Sequence, residues 1–203
     1  MKNSYFAHQP LLIVVSGQAG VGKDILIQRL KQRDYPVHFV VTATDRDPLP
    51  GEVHGQDYFF LTTDEFLRME REGELLEHAI VYGQHKGIPK QQVRKAMASG
   101  KDVIMRIDVQ GAATVRQIAP GAILIFLAAS SEGELERRLR GRGGDSAEQL
   151  EARITSARKE MERLAEFDYV VVNHDGELDR AVDNVIAIIQ AEHCRVEPRV
   201  VQL

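Results

Sequence analysis

The sequence predicts an α/β fold built on a mostly parallel sheet. Short apolar segments rich in β-branched residues alternate with segments whose apolar residues recur at helical spacing. Residues 122–129 contain no polar side chain, which is typical of a strand buried on both faces. The 203 residues give a prior of one domain, or two small ones, with enough chain for a sizeable core.

Each element has its own local signal. The continuous apolar run at the start predicts a strand over residues 11–16, and the spacing of Ile25, Leu26 and Leu30 predicts the helix that follows. Thr63 starts an N-capping signature, and Pro89 and Gly100 flank the third helix. We expect strands at residues 11–16, 37–43, 58–61, 75–82, 102–109, 122–129 and 169–172. We expect helices at residues 21–33, 63–73, 89–99, 111–119, 132–142, 147–167 and 178–193, and a loop at 45–57.

Composition excludes several function classes. The net charge of −4 argues against binding long nucleic acids or anionic membranes through the overall field of the protein. Seven Phe, five Tyr and no Trp make a stacking platform for single strands unexpected. A single cysteine, Cys194, excludes an intramolecular disulfide and a multi-cysteine zinc site. No signal peptide or membrane-spanning segment is recognisable, so we expect a cytoplasmic protein.

A glycine-rich segment is the sharpest local motif. It reads Gly17-Gln18-Ala19-Gly20-Val21-Gly22-Lys23-Asp24 and matches the phosphate-binding loop G-x-x-x-x-G-K. Its backbone N–H groups can form an anion cradle, to which the following helix N-terminus and the Lys23 ammonium add positive charge. The alternative is a glycine-rich turn that binds nothing. Asp24 stands where Ser or Thr usually helps to hold Mg²⁺, so it is a candidate metal ligand, directly or through water.

Further motifs follow the loop in a specific order. The most telling segment is Gly-Glu-x-x-Gly-x-Asp-Tyr at residues 51–58. The others are Thr42-Ala-Thr-Asp-Arg46, Glu74-Leu-Leu-Glu77, Tyr82-Gly-Gln-His-Lys-Gly87, Ile107-Asp108-Val-Gln110-Gly111, Arg138-Leu-Arg-Gly-Arg142, Arg153 and Val172-Asn173. In these motifs and their order, over residues 11–194, the sequence resembles the guanylate kinases, which use ATP to phosphorylate GMP.

The resemblance implies a P-loop kinase of three parts. Its core, with a parallel sheet flanked by helices, would comprise residues 1–41, 89–129 and 166–203, with a small mixed α/β GMP-binding insertion at 42–88 and a helical lid at 130–165. ATP and GMP would be the substrates, with Mg²⁺ bound to ATP. The ATP site would comprise residues 17–24 and Asn173, beside the adenine. Both a monomer and a homodimer stay open.

The same resemblance assigns roles to the remaining candidates. Arg46 and Tyr58 match residues that hold the GMP phosphate, and Glu77 matches the carboxylate that accepts hydrogen bonds from guanine. Thr42 matches a hydroxyl near the base, and Asp108 an acid facing the substrates. With Lys23, the arginines around the transferring phosphoryl group would be Arg138, Arg142 and Arg153.

Simpler interpretations stand beside these roles. By composition alone, Glu77 is a solvated acid in an acidic stretch. The arginines near residue 140 share a helix face and would pair with glutamates at the surface. Asp108 would cap a helix.

Several positions depart from the family pattern. Leu49 replaces an arginine that contacts the GMP phosphate in many guanylate kinases. Lys86, which stands where an aromatic hydroxyl is common, is a candidate substitute cation. Ile88 and Ala43 lack hydroxyls often found there. Arg106 replaces an acid at a strand end, where we expect it to pair with Asp24. Asp24 and the Lys-Gly-Ile-Pro segment at 86–89 resemble a variant subgroup of the family.

Two other functions stay open. A non-catalytic guanylate-kinase-like interaction module would tend to lose Lys23 and the lid arginines. A sugar-phosphate kinase acting on ribose bisphosphate would share Gly-Lys-Asp in the phosphate loop but would not need Glu77.

Overall fold

The elements of the chain are those of a computed structural model, which describes residues 9–81, 83–141 and 146–203. The strands are β1 (Leu12–Gly17), β2 (Val37–Phe39), β3 (Thr42–Thr44), β4 (Tyr58–Phe60), β5 (Leu75–Val81), β6 (Gln84–Pro89), β7 (Asp102–Arg106), β8 (Ile123–Ala129) and β9 (Tyr169–Asn173). The helices are α1 (Lys23–Gln32), α2 (Thr63–Arg71), α3 (Lys90–Ala98), α4 (Val109–Ile118), α5 (Glu132–Gly141), α6 (Ala147–Glu162) and α7 (Leu178–His193).

Five strands form the larger sheet, in the order β2-β7-β1-β8-β9, and every pairing is parallel. Helices α1, α5, α6 and α7 contribute to the apolar core on one face of this sheet. Helices α3 and α4 contribute to the core on the other face. The predicted α/β fold with a parallel sheet flanked by helices is confirmed. Within the described ranges, no helix combines the length and the apolar character needed to cross a membrane.

A second sheet of four strands lies within residues 42–89, in the order β4-β3-β6-β5. Strands β3 and β4 are parallel, whereas β6 is antiparallel to both β3 and β5. Phe66 of α2 is fully buried against Ala43 and Leu75 of this sheet. The division of the chain into core, insertion and lid stays a prediction.

Some predicted elements have other bounds. The expected strand 37–43 is two strands in different sheets, with Val40 still bonded to Ile104 of the larger sheet. The expected strand 102–109 ends at Arg106 because Asp108 caps α4, which begins at Val109. The expected helix 147–167 ends at Glu162 and is followed by a short 3₁₀ turn over Leu164–Glu166. Strand β6 has no counterpart in the prediction.

Candidate active site

One cavity of about 450 Å³ opens beside the phosphate loop and reaches the second sheet. Two loops at the carboxyl ends of neighbouring parallel strands contribute to it: the phosphate loop after β1, and Asp108 after β7. Ligand sites of open α/β sheets lie at this end of the strands. The predicted site residues that line the cavity are Ala19, Gly20, Gly22, Lys23, Asp24, Thr42, Tyr58, Glu77, Lys86, Asp108 and Arg153.

The phosphate loop has the backbone that its glycines permit. Gly22 caps the N-terminus of α1 with a φ of 99°, a left-handed conformation that favours glycine. A Cβ at Gly17 would lie 2.0 Å from the carbonyl oxygen of Leu127, so β8 approaches the loop too closely for any side chain. Lys23 begins α1, and its Nζ donates to the carbonyl oxygens of Gly17 and Gln18 at 2.6 and 2.9 Å. The ammonium therefore lies against the loop that it serves.

Two predicted residues support the loop without lining the cavity. The carbonyl oxygen of Val21 accepts hydrogen bonds from Asn173 Nδ2 at 2.8 Å and from Arg138 Nη1 at 3.2 Å. Arg138 also donates to the Asn173 carbonyl oxygen at 2.9 Å and pairs with Glu134. The predicted intrahelical pairing of Arg138 is thus present, but the side chain also fastens α5 to the phosphate loop. Arg142 lies outside the described residues.

A carboxylate from α6 lies on the phosphate loop. Oε2 of Glu160 accepts a hydrogen bond from the Ala19 N–H at 2.7 Å, and burial raises the pKa of this carboxyl. Lys159 and Arg163 of the same region also line the cavity. The sequence analysis missed these residues. Ala19 and Glu160 are 141 residues apart in sequence, and only the tertiary fold brings the carboxylate to the loop.

Three cations surround the ring of Tyr58. The Arg46 guanidinium lies 4.8 Å from the ring centroid, that of Arg106 lies 5.6 Å away, and Lys86 Nζ lies 6.0 Å away. Both terminal nitrogens of Arg46 donate to Glu52, at 2.7 and 2.6 Å, which raises the pKa of Arg46 and lowers that of Glu52. Burial, followed by the charge of Arg46, lowers the pKa of Lys86. Like charges gathered in this way favour an anionic ligand.

Glu77 is a buried acid in the wall of the cavity. Glu77 is only 4% exposed, so the alternative interpretation as a solvated glutamate is wrong. Burial, with a smaller contribution from the charge of Asp108, raises its pKa to about 8. A Cβ at Gly111 of α4 would lie 2.4 Å from Glu77 Oε2, so the carboxylate occupies space that only a glycine leaves open.

The two predicted acids Asp24 and Asp108 are already partnered. Asp24 pairs with Arg106, as the sequence predicts from their common strand edge. Oδ1 of Asp108 accepts from the N–H groups of Gln110 and Gly111 at 2.7 and 2.9 Å, so the capping interpretation of Asp108 is confirmed.

These acids limit how a metal ion could be held. Within the part of the chain that the structure describes, no three Asp, Glu, His or Cys side chains gather as a metal site. The acids near the cavity fit a Mg²⁺ ion whose ligands are chiefly nucleotide phosphates and water. The protein would add at most Asp24 or Asp108 as a ligand.

Comparison with known proteins agrees with this geometry. The guanylate kinase family model matches residues 9–192. The chain is 52% identical over 196 residues to Guanylate kinase 2, chloroplastic/mitochondrial, of Oryza sativa subsp. japonica, covering 96% of this chain and 69% of that one. It is 44% identical to a guanylate kinase of Halalkalibacterium halodurans, covering 92% and 91% of the two chains.

A solved structure is also similar. The crystal structure of guanylate kinase from Anaplasma phagocytophilum matches with a TM-score of 0.75 and 26% identity, covering 94% of this chain and 89% of that one. The ordered motifs, the parallel sheet and the sequence matches agree, and the chain belongs to the guanylate kinase family of phosphotransferases.

Proposed function

We propose that this protein transfers the γ-phosphoryl group of ATP to GMP, and also to dGMP, giving ADP and the nucleoside diphosphate. The observation that carries this proposal is a single cavity lined by the phosphate loop, by Tyr58 and Lys86, and by the buried acid Glu77. A phosphate donor and an acceptor that carries both a phosphate and a base can meet there. Mg²⁺ bound to the ATP phosphates would supply further positive charge to the transferring group.

Glu77 is the residue that we assign to the base. Guanine presents two adjacent N–H donors on one edge, and a carboxylate can accept from both. The pKa of about 8 means that, before a nucleotide binds, Glu77 is mainly the neutral acid at pH 7. Hydrogen bonds from the two guanine N–H groups favour the charged carboxylate, so guanine binding would release the proton of Glu77. Thr42, which lines the same cavity, is assigned to a position near the base.

The acceptor phosphate is assigned to Arg46, Tyr58 and Lys86. A nucleotide phosphate has a second pKa near 6, so at pH 7 it is mostly dianionic and needs no strong protein base to act as a nucleophile. The residues would instead position it for in-line attack and neutralise its charge. The cations around the Tyr58 ring support this assignment.

The donor side is assigned to residues 17–24, with Asn173 beside the adenine. Lys23 and Arg153 line the cavity, which supports our assignment of these two cations to the transferring phosphoryl group. Arg138, which does not line the cavity, and Arg142 are assigned with them from the family motif. Asp108 faces the cavity from the start of α4 and would orient groups there.

A coupled assay of ADP release with several acceptors tests the proposal. GMP and dGMP should give the highest kcat/KM, well above AMP, UMP and ribose bisphosphate. An interaction module would release no ADP with any acceptor, and a sugar-phosphate kinase would prefer the ribose bisphosphate. Lys23→Ala should lower kcat/KM by at least about 100-fold while the chain keeps its fold, as judged by circular dichroism. The exposed Lys95→Ala should behave like the unsubstituted protein.

We also propose a cytoplasmic location, which is compatible with the single cysteine of the sequence, Cys194. We assign no nucleic acid or membrane partner, and sedimentation of the purified protein would decide between a monomer and a homodimer.

A further inference from the structure

Arg106 lies where the two halves of the cavity meet. It ends β7, and its guanidinium pairs with Asp24 at the start of α1 on one side. On the other side, its Nη2 donates to the hydroxyl oxygen of Tyr58 at 2.8 Å. A guanidinium carries five N–H donors, which is more than these two contacts require. Arg106 also lines the cavity, so further donors can reach a bound anion.

The hydrogen bond between Arg106 and Tyr58 has a direction. Because the phenol oxygen accepts from the guanidinium, its own proton is available to a different acceptor. Donation from a cation also polarises the hydroxyl and makes it a stronger donor. Because both residues line the cavity, an oxyanion bound there could accept from the Tyr58 hydroxyl and from the guanidinium.

The charge of Arg106 is only partly compensated. Its side chain is 25% exposed, whereas that of Asp24 is 54% exposed, so solvent screens the carboxylate more than the guanidinium. Arginine keeps its proton even when burial lowers its pKa, as it does here. A mostly buried cation beside a screened carboxylate retains attraction for a second anion.

Leu49 supplies no charge for the acceptor phosphate. The side chain at position 49 is apolar and 60% exposed, whereas the family resemblance implies an arginine there. We propose that Arg106 is a further phosphate-binding residue of the acceptor site, and that Asp24 is the positioning residue that holds its guanidinium there. The inference rests on the proposed function in one respect, namely that the acceptor is a nucleoside monophosphate.

Calorimetric titration with GMP and with guanosine isolates the contact to the phosphate. Arg106→Gln should raise the Kd of GMP by about 10- to 100-fold, as expected for loss of a charged hydrogen bond. The Kd of guanosine, which lacks the phosphate, should stay within about twofold, since the base contacts remain. Equal losses for both ligands would overturn the assignment of Arg106 to the phosphate.

A matched control is Arg116→Gln. Arg116 also pairs with an aspartate, Asp168 at 2.7 Å, but it does not line the cavity. It should change neither Kd. If Arg106→Gln does not fold, Arg106→Lys keeps the charge but loses the fork of donors, and it should raise the Kd of GMP alone. In that case, an Arg106→Lys variant with an unchanged ratio of the Kd of GMP to the Kd of guanosine would also contradict the proposal.

Asp24→Asn tests the positioning role. It should raise the Kd of GMP but add little in the Arg106→Gln background, because both changes remove the same arrangement. Additive effects would overturn the role of Asp24. These outcomes are separate from the proposed function, which fails if the unsubstituted protein binds GMP no more tightly than AMP.

Discussion

The contact between Glu77 and Gly111 shows how one missing side chain can position a buried acid. Burial keeps the carboxyl of Glu77 in place, while the absence of a Cβ at Gly111 leaves room for its Oε2. A buried acid has few alternative positions, so its rotamer is fixed by its neighbours. Gly111, which has no side chain, therefore helps to position Glu77, the residue assigned to the base.

Gly111→Ala tests this positioning. The new methyl group would lie 2.4 Å from Glu77 Oε2, so the carboxylate must move. We expect kcat/KM for GMP to fall by at least about 10-fold, while the low activity with AMP changes little. Gly133→Ala in α5 is the control, because its nearest neighbour would be the end of the Arg137 side chain at 4.0 Å. Retained preference for GMP over AMP in Gly111→Ala would contradict the positioning role.

At the scale of elements, local signals predicted most helices and strands. Capping boxes begin α2 and α6, at Thr62 and Ser146, within one residue of the predicted starts. Strand β6 escaped prediction because its Gln-His-Lys-Gly stretch has no apolar alternation, and pairing with β3 and β5 forms it instead. The phosphate loop was predictable because all its parts are contiguous.

The rest of the site depends on contacts that are distant in sequence. The pairing of Asp24 with Arg106 was predictable because parallel strands end at one edge. The contact of Glu160 with Ala19 was not, since no local pattern reports which turn of α6 meets the loop. Tertiary packing alone decides such a contact.

Glu160 of helix α6 leads to a prediction about ATP binding. The Glu160 carboxylate lies on an N–H of the phosphate loop and would repel the phosphates of ATP. Glu160→Ala should therefore lower the Kd of ATP several-fold in a calorimetric titration, while Glu162→Ala, an exposed position on the same helix, should not. Weaker ATP binding by Glu160→Ala would show that the carboxylate supports the loop and does not compete with ATP.

At the scale of the whole molecule, both sheets contribute residues to the cavity beside the phosphate loop, so the same buried groups affect the stability of the fold and the binding of ligands. The larger sheet provides Lys23 and Asp108 at its strand ends, and the smaller provides Glu77 and Lys86. The buried acid Glu77 lies in the wall of the cavity that both sheets line. Its ionisation affects the stability of the entire fold as well as the site.

The pH dependence of unfolding checks this coupling. The pKa of Glu77 is about 8 in the folded chain, against an ordinary value of 4.5. Between these values the folded chain holds a proton that the unfolded chain releases, so the free energy of unfolding falls as the pH rises. Without nucleotide, this contribution should be on the order of a few kcal/mol between pH 5 and pH 8.

Denaturant titrations of the Glu77→Gln variant give the comparison. The variant has no carboxyl to ionise, so its stability should fall less over the same pH range. Glu148→Gln, at an exposed position, should follow the unsubstituted protein. Parallel pH profiles for the unsubstituted protein and Glu77→Gln would rule out the raised pKa.

Sequence drift at positions 24 and 106 is constrained by their ion pair. Loss of Asp24 alone leaves a mostly buried guanidinium without its carboxylate, and loss of Arg106 alone leaves an acid beside the phosphate loop. Either single replacement passes through a less favourable protein, so we expect lineages to inherit or exchange the two residues together.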